Sequence, residues 1–295
     1  MSARTVLVAG ATGYLGRYLV AEFRRKGWRV RALARDPAGL ALPGPALSPT
    51  VAQLVDEKVA GDVTDPAGLA GAAEGAEAVF SCVSLMGRRS RHSWHEVDYL
   101  GNRNLLQEAL RAGVRRFGYV SVFNAPSLRD IPMVGVHEDF VDDLVASGID
   151  HLVVRPTGFF SDMGAFLSMA RSGRVYLPGD GDSRVNPIHG ADLAALCVRE
   201  LEEGGAERSA GGPQTFSQRE IAELAFRVLD TEPRISAIPL PVVRAGVSLL
   251  GLFRPGRADL LRFFVKSAAL DFVAPSTGHR RLKEHFRQLA RAAGG

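Results

Sequence analysis

The sequence predicts an α/β fold, a doubly wound parallel sheet joined to a smaller, mostly helical C-terminal region. Three observations support this prediction. An apolar, β-branched run at 5–9 ends in a glycine-rich loop, short apolar runs then alternate with helical patterns through the first half, and helical patterns dominate the second half. We expect a core over residues 1–156 and a second region over 157–295 that is partly interwoven with it.

The glycine-rich loop follows the first predicted strand directly. Gly10, Gly13 and Gly16 recur at every third residue, and a helix is predicted from about 13 to 26. In a βαβ unit the first glycine permits a tight turn, the second lets the backbone approach a phosphate, and the third lets the helix pack closely. The helix start adds N–H donors and the positive end of the helix dipole. The loop therefore predicts a dinucleotide site in a Rossmann core, formed by Gly10, Thr12, Gly13, Tyr14, Leu15 and Gly16.

The remaining elements of the first half follow from short apolar runs bounded by turn residues. Strands are predicted at 29–34, 57–60, 78–82, 116–121 and 151–154, helices at 94–112 and 137–147, and a loop at 37–49, which is rich in Pro, Gly and Ala. Right-handed crossovers between parallel strands place helices on both faces of the sheet.

The second half contains short extended pieces between helices. The extended pieces are predicted at 174–177, 184–186 and 214–216, and helices at 242–253, 258–270 and 279–292. Ser217 and Glu220 form a capping box that starts a further helix, which ends at about 229. Because ligands of open α/β sheets bind at the carboxyl edge of the strands, we expect this region to form a substrate-binding cap there.

Length and composition exclude several classes of protein. With 295 residues, 46% of them hydrophobic, the chain can bury a substantial core, and no motif indicates nucleic-acid binding. Cys82 and Cys197 lie far apart in apolar sequence, which favours buried thiols over a disulfide or a metal pair. A reducing cytoplasm fits this cysteine usage. No metal is predicted, and no residue pattern indicates an oligomeric state.

Any membrane contact depends on the C-terminal segment. The first strand begins at residue 5 without a charged-then-apolar leader, and the apolar stretch 245–253 is far shorter than the roughly 20 residues that span a bilayer. From 254 to 295, nine Lys or Arg stand against three acids, beside apolar side chains at 249, 250, 253, 263 and 264. This pattern is typical of a surface that meets an anionic inner membrane face or an acidic, lipophilic substrate. It is more typical of an amphipathic lid with a solvated basic face.

The end of the second predicted strand bears on the choice of cofactor. An NAD-specific enzyme places an acid there for the ribose hydroxyls, whereas this chain has Arg31-Ala32-Leu33-Ala34-Arg35-Asp36. The Arg35 guanidinium suits a 2′-phosphate through paired, charge-assisted hydrogen bonds, so we expect NADPH (NADP+) rather than NADH. The alternative is a surface arginine that caps the strand end. Arg17 is a second candidate for holding phosphate.

Motifs along the first 200 or so residues resemble the short-chain dehydrogenase/reductase superfamily in its extended and atypical branches. They are Gly-x-x-Gly-x-x-Gly at 10–16, Asp98-Tyr99-x-Gly101-Asn102-Arg103-Asn104-Leu105-Leu106, Gly113-Val114-Arg115-Arg116-Phe117, Tyr119-Val120-Ser121 and Arg155-Pro156-Thr157-Gly158-Phe159-Phe160. Gly179-Asp180-Gly181, Asn186-Pro187-Ile188-His189 and Asp192-Leu193-Ala194 resemble the divinyl chlorophyllide 8-vinyl reductase branch and its bacterial relatives of unassigned substrate. The residues beyond about 200 are not diagnostic.

The resemblance implies cofactor contacts for several residues. Asp62 would bond the adenine amine, with Val63 against the ring, although Asp62 is also suited to cap the following turn. Ser121 would orient a substrate oxygen, or alternatively satisfy local backbone. The nicotinamide half would be lined by Cys82, Val83, Ser84, Ser121 and Val122, with Pro156, Thr157, Gly158 and Phe159 as further contacts.

The sequence departs from the superfamily at the catalytic acid. Carbonyl reductases of the superfamily use Tyr-x-x-x-Lys, in which the lysine lowers the tyrosine pKa so that the phenol passes a proton. None of the five tyrosines has a lysine four residues later, and no lysine lies between Lys58 and Lys266. When the motifs are aligned by the Arg-Pro pair at 155–156, the lysine position falls near His137 and the tyrosine position near Met133. His137 could bond the ribose hydroxyls and deliver a proton, or be a helix residue without a chemical role.

Together the residues and the resemblance predict an NADPH-dependent reductase that transfers hydride to an apolar, conjugated C=C bond or another electrophile. Hydride addition to a conjugated system delays the proton until a stabilised anion has formed, so solvent or His137 could supply it. The apolar residues Phe159, Phe160, Met163, Phe166 and Met169 would form a substrate wall, or the core face of an ordinary helix. The alternatives are a carbonyl reductase or epimerase with a substituted acid, and a non-catalytic cofactor-binding sensor or accessory protein of a membrane complex.

Overall fold

The computed structural model describes residues 4–86, 92–253, 255–267 and 270–292, without the side chains of 255–257. The described residues fall into two compact units. The first unit lies within Met1–Arg155 and Leu193–Arg208. The second lies within Pro156–Asp192 and Ser209–Gly295. The chain thus leaves the first unit after Arg155 and returns to it through residues 193–208.

The described residues contain eleven strands. They are β1 (Thr5–Ala9), β2 (Arg29–Ala34), β3 (Glu57–Ala60), β4 (Ala78–Ser81), β5 (Arg116–Val120), β6 (Asp150–Pro156), β7 (Val175–Pro178), β8 (Arg184–Val185), β9 (Glu207–Ala210), β10 (Phe216–Ser217) and β11 (Ile235–Ile238). Seven of them form one sheet in the order β3-β2-β1-β4-β5-β6-β9, and the neighbours among β1 to β6 run parallel. The reversal of order between β1 and β4 creates a switch point at their carboxyl ends, where sheets of this kind bind ligands. The predicted doubly wound parallel sheet is confirmed.

The described residues also contain nine α-helices. They are α1 (Tyr14–Arg25), α2 (Asn102–Arg111), α3 (Pro132–Ala146), α4 (Phe160–Arg171), α5 (Gly190–Glu203), α6 (Gln218–Val228), α7 (Leu240–Phe253), α8 (Pro255–Ser267) and α9 (Leu282–Ala292). A seven-residue helix of the wider π type, His95–Gly101, leads directly into α2. The single helix predicted over 94–112 therefore consists of a π-helical part followed by an α-helical part. None of these helices is both long enough and apolar enough to cross a bilayer.

The core of the first unit lies between its strands and helices. Leu7, Val79, Phe117 and Val153, one from each of four neighbouring strands, are almost completely buried and belong to one apolar cluster with Phe140 of α3. Strands buried on both faces appear in the sequence as nearly continuous apolar runs, which is why they were predictable. Each such side chain stabilises the fold by roughly 1.5–3 kcal/mol when fully buried.

The second unit has its own core. In it Phe160, Ile221, Phe226, Leu282 and Phe286 from three helices form one buried cluster. Two small sheets belong to this unit, β7 parallel to β11 and β8 antiparallel to β10.

Three local features test the element predictions closely. The capping box is confirmed, because the Ser217 hydroxyl accepts from the Glu220 amide at 3.1 Å and the Glu220 carboxylate accepts from the Ser217 amide at 2.7 Å. α3 begins five residues before its predicted start, since Pro132 is well suited to the first helical position. β9 escaped prediction because the strand is polar, with Glu207 and Arg208 exposed.

Candidate functional site

The glycine loop connects β1 to α1 at the switch point of the sheet. Gly10 has a φ of +80°, and its carbonyl oxygen accepts a hydrogen bond from the Gly13 amide at 2.9 Å. A Cβ on Gly10 would lie 2.9 Å from the carbonyl oxygen of Cys82, and a Cβ on Gly16 would overlap the carbonyl oxygen of Gly10. Both positions therefore exclude a side chain. At Gly10 the reasons are the positive φ and the close approach to Cys82, and at Gly16 the reason is the close packing of the helix against the loop.

The first turn of α1 is suited to an anion. Gly13 precedes the helix in an extended conformation and provides no side-chain cap. The amides of Leu15 and Gly16 are among the first-turn donors that an α-helix leaves without partners of its own. Such donors, together with the helix dipole, favour a pyrophosphate; Tyr14 begins this turn, and Thr12 lies in the loop just before it. The loop thus fits the dinucleotide that the sequence predicts.

Arg17 serves a different purpose from the one expected. Its buried guanidinium donates to the carbonyl oxygens of Thr12 at 3.1 Å, Gly39 at 2.6 Å, Leu42 at 2.9 Å and Pro49 at 2.9 Å. Four of its five N–H donors therefore bond to backbone carbonyl oxygens, and three of these carbonyls lie in the loop 37–49. The structure corrects the expectation that Arg17 holds phosphate, because these donors fasten the loop after β2 to α1.

Arg35 is exposed immediately after the carboxyl end of β2. Within the described ranges its guanidinium forms no hydrogen bond or ion pair. The neighbouring Asp36 instead accepts from the Ala38 amide at 2.9 Å and caps a short 3₁₀ turn, Pro37–Ala41. The acid at this strand end is therefore used structurally, and the cation is available to a 2′-phosphate.

Asp62 follows β3 and holds a tight turn. One carboxylate oxygen accepts from the amide of Thr64 at 2.9 Å and from its hydroxyl at 2.8 Å. Burial raises the pKa of Asp62, but the bonds from Thr64 and the charges of Arg35 and His92 outweigh burial and hold the pKa below its usual value. The group is therefore a carboxylate with acceptor sites beyond these two bonds, so it can cap the turn and also accept from an adenine amine. Val63 beside it is buried.

The carboxyl end of β4 holds residues predicted beside the nicotinamide. The Cys82 amide and thiol both donate to the carbonyl oxygen of Ala9, at 3.1 Å and 3.2 Å. The Ser84 hydroxyl accepts from a backbone amide two residues later at 3.1 Å. Cys82 thus ties β4 to β1 as a structural thiol, but it is half-buried and not buried as predicted, whereas Cys197 is buried. Val83 is half-buried, and Val122 at the end of β5 is buried.

Ser121 belongs to a buried ion-pair network between β5, α3 and β6. Its hydroxyl donates to Glu138 Oε1 at 2.7 Å and accepts from Arg155 Nη1 at 3.1 Å. Arg155 pairs with both carboxylate oxygens of Glu138, at 2.6 and 3.0 Å, and its Nε donates to Glu207 at 2.8 Å. The exposed fractions of Ser121, Glu138 and Arg155 are 4%, 4% and 5%. The hydroxyl predicted to orient a substrate oxygen is therefore bonded to protein groups.

A second buried chain of polar groups lies at the position of the superfamily's lysine. The Tyr119 hydroxyl lies 2.5 Å from His137 Nδ1, and His137 Nε2 lies 3.3 Å from Asp98 Oδ1 without the alignment of a hydrogen bond. Asp98 also accepts from the Leu85 amide at 3.1 Å. The exposed fraction is 3% for His137 and zero for Tyr119 and Asp98. A proton on Nε2 would place an N–H beside the carboxylate and let the phenol donate to Nδ1.

Burial governs the charge states in this chain. It lowers the pKa of His137 and raises the pKa of Asp98, although the attraction between the two groups opposes both changes. Burial also raises the pKa of Tyr119 well above its ordinary value. His137 is therefore neutral at neutral pH, and Tyr119 is a phenol. A buried, neutral imidazole with a protein group at each nitrogen is better suited to holding this helix in place than to delivering a proton.

Several members of these networks had no role assigned from the sequence. Asp98, Tyr119 and Arg155 occur in the family motifs, whereas Glu138 lies one residue beyond the position of the missing lysine. The sequence does contain a hint of this network. An arginine inside the apolar strand that ends at Pro156 requires a buried partner. The partner could be sought among the acids of the preceding helix, where Glu138 lies.

The last residue of β6 and the three residues after it belong to the second unit. They are the predicted cofactor contacts Pro156, Thr157, Gly158 and Phe159. The Thr157 hydroxyl donates to the carbonyl oxygen of Asn186 at 2.7 Å. The buried Asn186 amide in turn donates to the carbonyl oxygens of Gly212 at 3.3 Å and Ala274 at 2.8 Å. The family motif around residue 186 therefore joins distant segments of this unit.

A second family motif in this unit is also structural. Asp192, in the first turn of α5, accepts from the amides of His279 at 3.1 Å and Arg280 at 2.9 Å, and it pairs with the Arg280 side chain. Burial lowers the pKa of His189 to about 4, so this imidazole is neutral at neutral pH. His189 Nδ1 also accepts from the Ala191 amide in the first turn of α5 at 3.1 Å, so each of the two residues has a structural interaction.

Asp162 is a further ionisable group that the sequence analysis did not single out. It lies in the first turn of α4 and accepts from the Phe159 amide at 3.0 Å. Burial raises its pKa to about 6, which is the range of an effective general acid near neutral pH.

Comparisons with known proteins agree with this geometry. Residues 10–204 match a family model described as NAD(P)H-binding. The divinyl chlorophyllide a 8-vinyl-reductase of Zea mays is 32% identical over 94% of this chain and 74% of that protein. The ceramide reductase of Caulobacter vibrioides is 32% identical over 82% of this chain and 76% of that protein. An NADPH-dependent quinone oxidoreductase from Escherichia coli has a similar structure, with a TM-score of 0.77, 21% identity, and coverage of 97% of this chain and 99% of that chain.

The fold and the loop at its switch point define a Rossmann-type, dinucleotide-binding protein. The chain belongs to the NAD(P)H-binding family, in the atypical branch of the short-chain dehydrogenase/reductase superfamily, and it is an oxidoreductase. The resemblance drawn from the sequence motifs is thereby confirmed. The structural match, at 21% identity, supports the fold alone.

Proposed function

We propose that the protein is an NADPH-dependent reductase that transfers hydride to an apolar, conjugated C=C bond or a similar electrophile. The observation that carries this proposal is the pairing of polar groups where Tyr-x-x-x-Lys is missing. Ser121, Tyr119 and His137 all contact protein groups, so none of the three is a preformed donor to a carbonyl oxygen. A substrate whose first anion is stabilised by conjugation does not need such a donor during hydride transfer.

Arg35 supports NADPH as the preferred cofactor. Its exposed guanidinium, at the strand end where the ribose is expected, can form paired hydrogen bonds with a 2′-phosphate. When bound, the cofactor supplies the hydride. The residues of the chain hold the cofactor. The amides of the glycine loop donate to the pyrophosphate, Arg35 donates to the 2′-phosphate, and Asp62 accepts from the adenine amine.

The names of the relatives support a reductase and leave the substrate open. One relative is named for the reduction of a vinyl group and another for the reduction of ceramide, at the same 32% identity to this chain. We favour the C=C bond because the hydroxyl of Ser121, which would serve a carbonyl oxygen, is already bonded to Glu138.

The test is NADPH oxidation by the purified protein with enones, vinyl-substituted rings, quinones and ketones. The proposal predicts turnover with the conjugated acceptors and little with simple ketones. Turnover confined to ketones would contradict the assignment and favour a carbonyl reductase. Tight binding of NADPH without turnover across the whole panel would contradict the proposal and favour a non-catalytic sensor.

Two conservative variants locate the proton source for this reaction. His137→Asn keeps a polar atom opposite Tyr119, and Asp162→Asn keeps an acceptor for the Phe159 amide, but neither new side chain can exchange a proton. Loss of an acid catalyst typically lowers the rate by about 10²–10⁴-fold. A loss of that size in one variant identifies the donor, and only small changes in both would assign the proton to solvent.

A further inference from the structure

Helix α7 is apolar on nearly every side. Of its fourteen residues only Arg244 and Ser248 have polar side chains. Val243 and Val247 face a small apolar cluster shared with α8, whereas other apolar residues of α7 are exposed. A helix that is hydrophobic all round is ordinarily covered all round, and among the described residues cover is seen on only one side of α7.

The exposed apolar side chains of this hairpin follow helical spacing. Val242, Leu249 and Leu252, exposed by 61%, 61% and 77%, recur at intervals of seven and three on α7, next to Phe253 at 77%. Two further residues are exposed three positions apart on α8. We call this set, Val242, Leu249, Leu252, Phe253, Leu261 and Phe264, the hairpin surface.

The charge of the same segment is strongly positive. Residues 240–270 contain the basic residues Arg244, Arg254, Arg257, Arg262 and Lys266. Asp259 is the one acid of this stretch of sequence, and its carboxylate accepts from Arg262 at 2.7 Å within α8. Exposed apolar groups with a cationic surplus are complementary to a bilayer that has acidic headgroups over hydrocarbon.

We propose that the α7–α8 hairpin is a peripheral binding site for an anionic lipid bilayer. The hairpin surface enters the boundary between headgroups and acyl chains, and Arg244 and Lys266 remain near the headgroups. α7, with fourteen residues, is about 21 Å long, less than the roughly 30 Å hydrocarbon core, so it lies in the interface rather than spanning it. A second copy of this chain would also cover apolar groups, but it would bring two positively charged hairpins together.

Flotation of the full chain with lipid vesicles tests this site. We expect the protein to float at low salt with vesicles of phosphatidylcholine mixed with phosphatidylglycerol, and not with phosphatidylcholine alone. The variant Leu249→Ser/Leu252→Ser/Phe253→Ser should bind the anionic vesicles at least about tenfold more weakly, because three side chains that would be buried become polar. Arg244→Gln/Lys266→Gln should weaken binding by about fivefold for each charge, with a reduced dependence on salt.

A matched control comes from the first unit. Leu110 and Val145 are exposed apolar residues on α2 and α3, and Leu110→Ser/Val145→Ser should float like the unaltered protein. Circular dichroism checks the folding of every variant, and the charge variant tests the site if the triple serine variant does not fold. An equal loss in the control variant, or equal flotation with neutral vesicles, overturns the proposal. A triple serine variant that turns a dimer into a monomer in sedimentation, without weaker flotation, also overturns it and assigns the surface to a second copy.

Discussion

The two ends of the sheet's carboxyl edge in the first unit use their polar groups in opposite ways. At the glycine-loop end, α1 begins without a side-chain cap, and Arg35 forms no hydrogen bond or ion pair within the described ranges. At the β5 end, Ser121 and His137 are buried and contact other protein groups. The first end is therefore prepared for a charged ligand. At the second end the polar groups contact one another and hold segments of the protein together. This difference explains why the cofactor is easier to assign than the reaction.

The largest effect is expected from breaking the ion-pair network at the β5 end. Arg155→Met leaves the Glu138 carboxylate buried without its cation, which should lower the free energy of unfolding by about 3–5 kcal/mol. Urea denaturation measures the change. Arg24→Met, which removes a surface pair with Asp56, is the control and should cost about 1 kcal/mol or less. Equal costs for the two substitutions would mean that the network contributes no more than a surface pair.

The next effect concerns the glycine-loop end. In Gly16→Ala the new methyl group would overlap the Gly10 carbonyl oxygen, so the loop must shift. Overpacking of this kind costs about 1–3 kcal/mol, and a cost of that size in the bound loop should weaken NADPH binding in calorimetry by about five- to 150-fold. Gly164→Ala, whose Cβ would have Leu289 at 3.7 Å as its nearest neighbour, should bind NADPH normally. Normal binding by the Gly16 variant would show that the loop has more room than the structure gives it.

The smallest effect is a dependence of stability on pH. The pKa of His137 is lowered in the folded state, so only the unfolded chain takes up this proton as the pH falls through about 6.5. The stability linked to His137 is therefore complete above that pH and is lost below it. Asp98 and Glu138 oppose this shift, whereas Arg155 adds to it, and Tyr119 is uncharged.

The variant His137→Asn isolates this contribution. Urea denaturation between pH 7 and 5 should show a flatter loss of stability for the variant than for the unaltered protein. Identical slopes would indicate that the imidazole is as free to take up a proton in the folded state as in the unfolded one.

The sequence predicted best what depends on local pattern. The strands at 29–34 and 57–60 are observed with the predicted bounds, and Gly10 and Gly16 are required for the backbone reasons that their spacing suggested. The π-type helix at His95–Gly101 was missed because its apolar pattern is that of an ordinary helix. β9 was missed because a polar edge strand has no apolar alternation.

The β5 end was less predictable because its pairs join residues that are distant in sequence. Ser121, Glu138 and Arg155 meet only once β5, α3 and β6 are aligned, so no short window of sequence contains the network. Arg17 shows the same limit, since its partners in the loop 37–49 could not be read from the helix that carries it. The roles of Ser121 and His137 in catalysis and cofactor binding remain predictions.

Calorimetric titration of NADPH and NADH tests most directly the claim that the glycine-loop end is prepared for a 2′-phosphate. Arg35→Glu should weaken NADPH binding by about a hundredfold and leave NADH binding nearly unchanged, because charge-assisted hydrogen bonds to the phosphate are replaced by repulsion. Arg29 is also an exposed arginine, at the opposite end of β2, and Arg29→Glu should alter neither affinity. Equal losses of NADPH and NADH binding in the Arg35 variant would contradict the account.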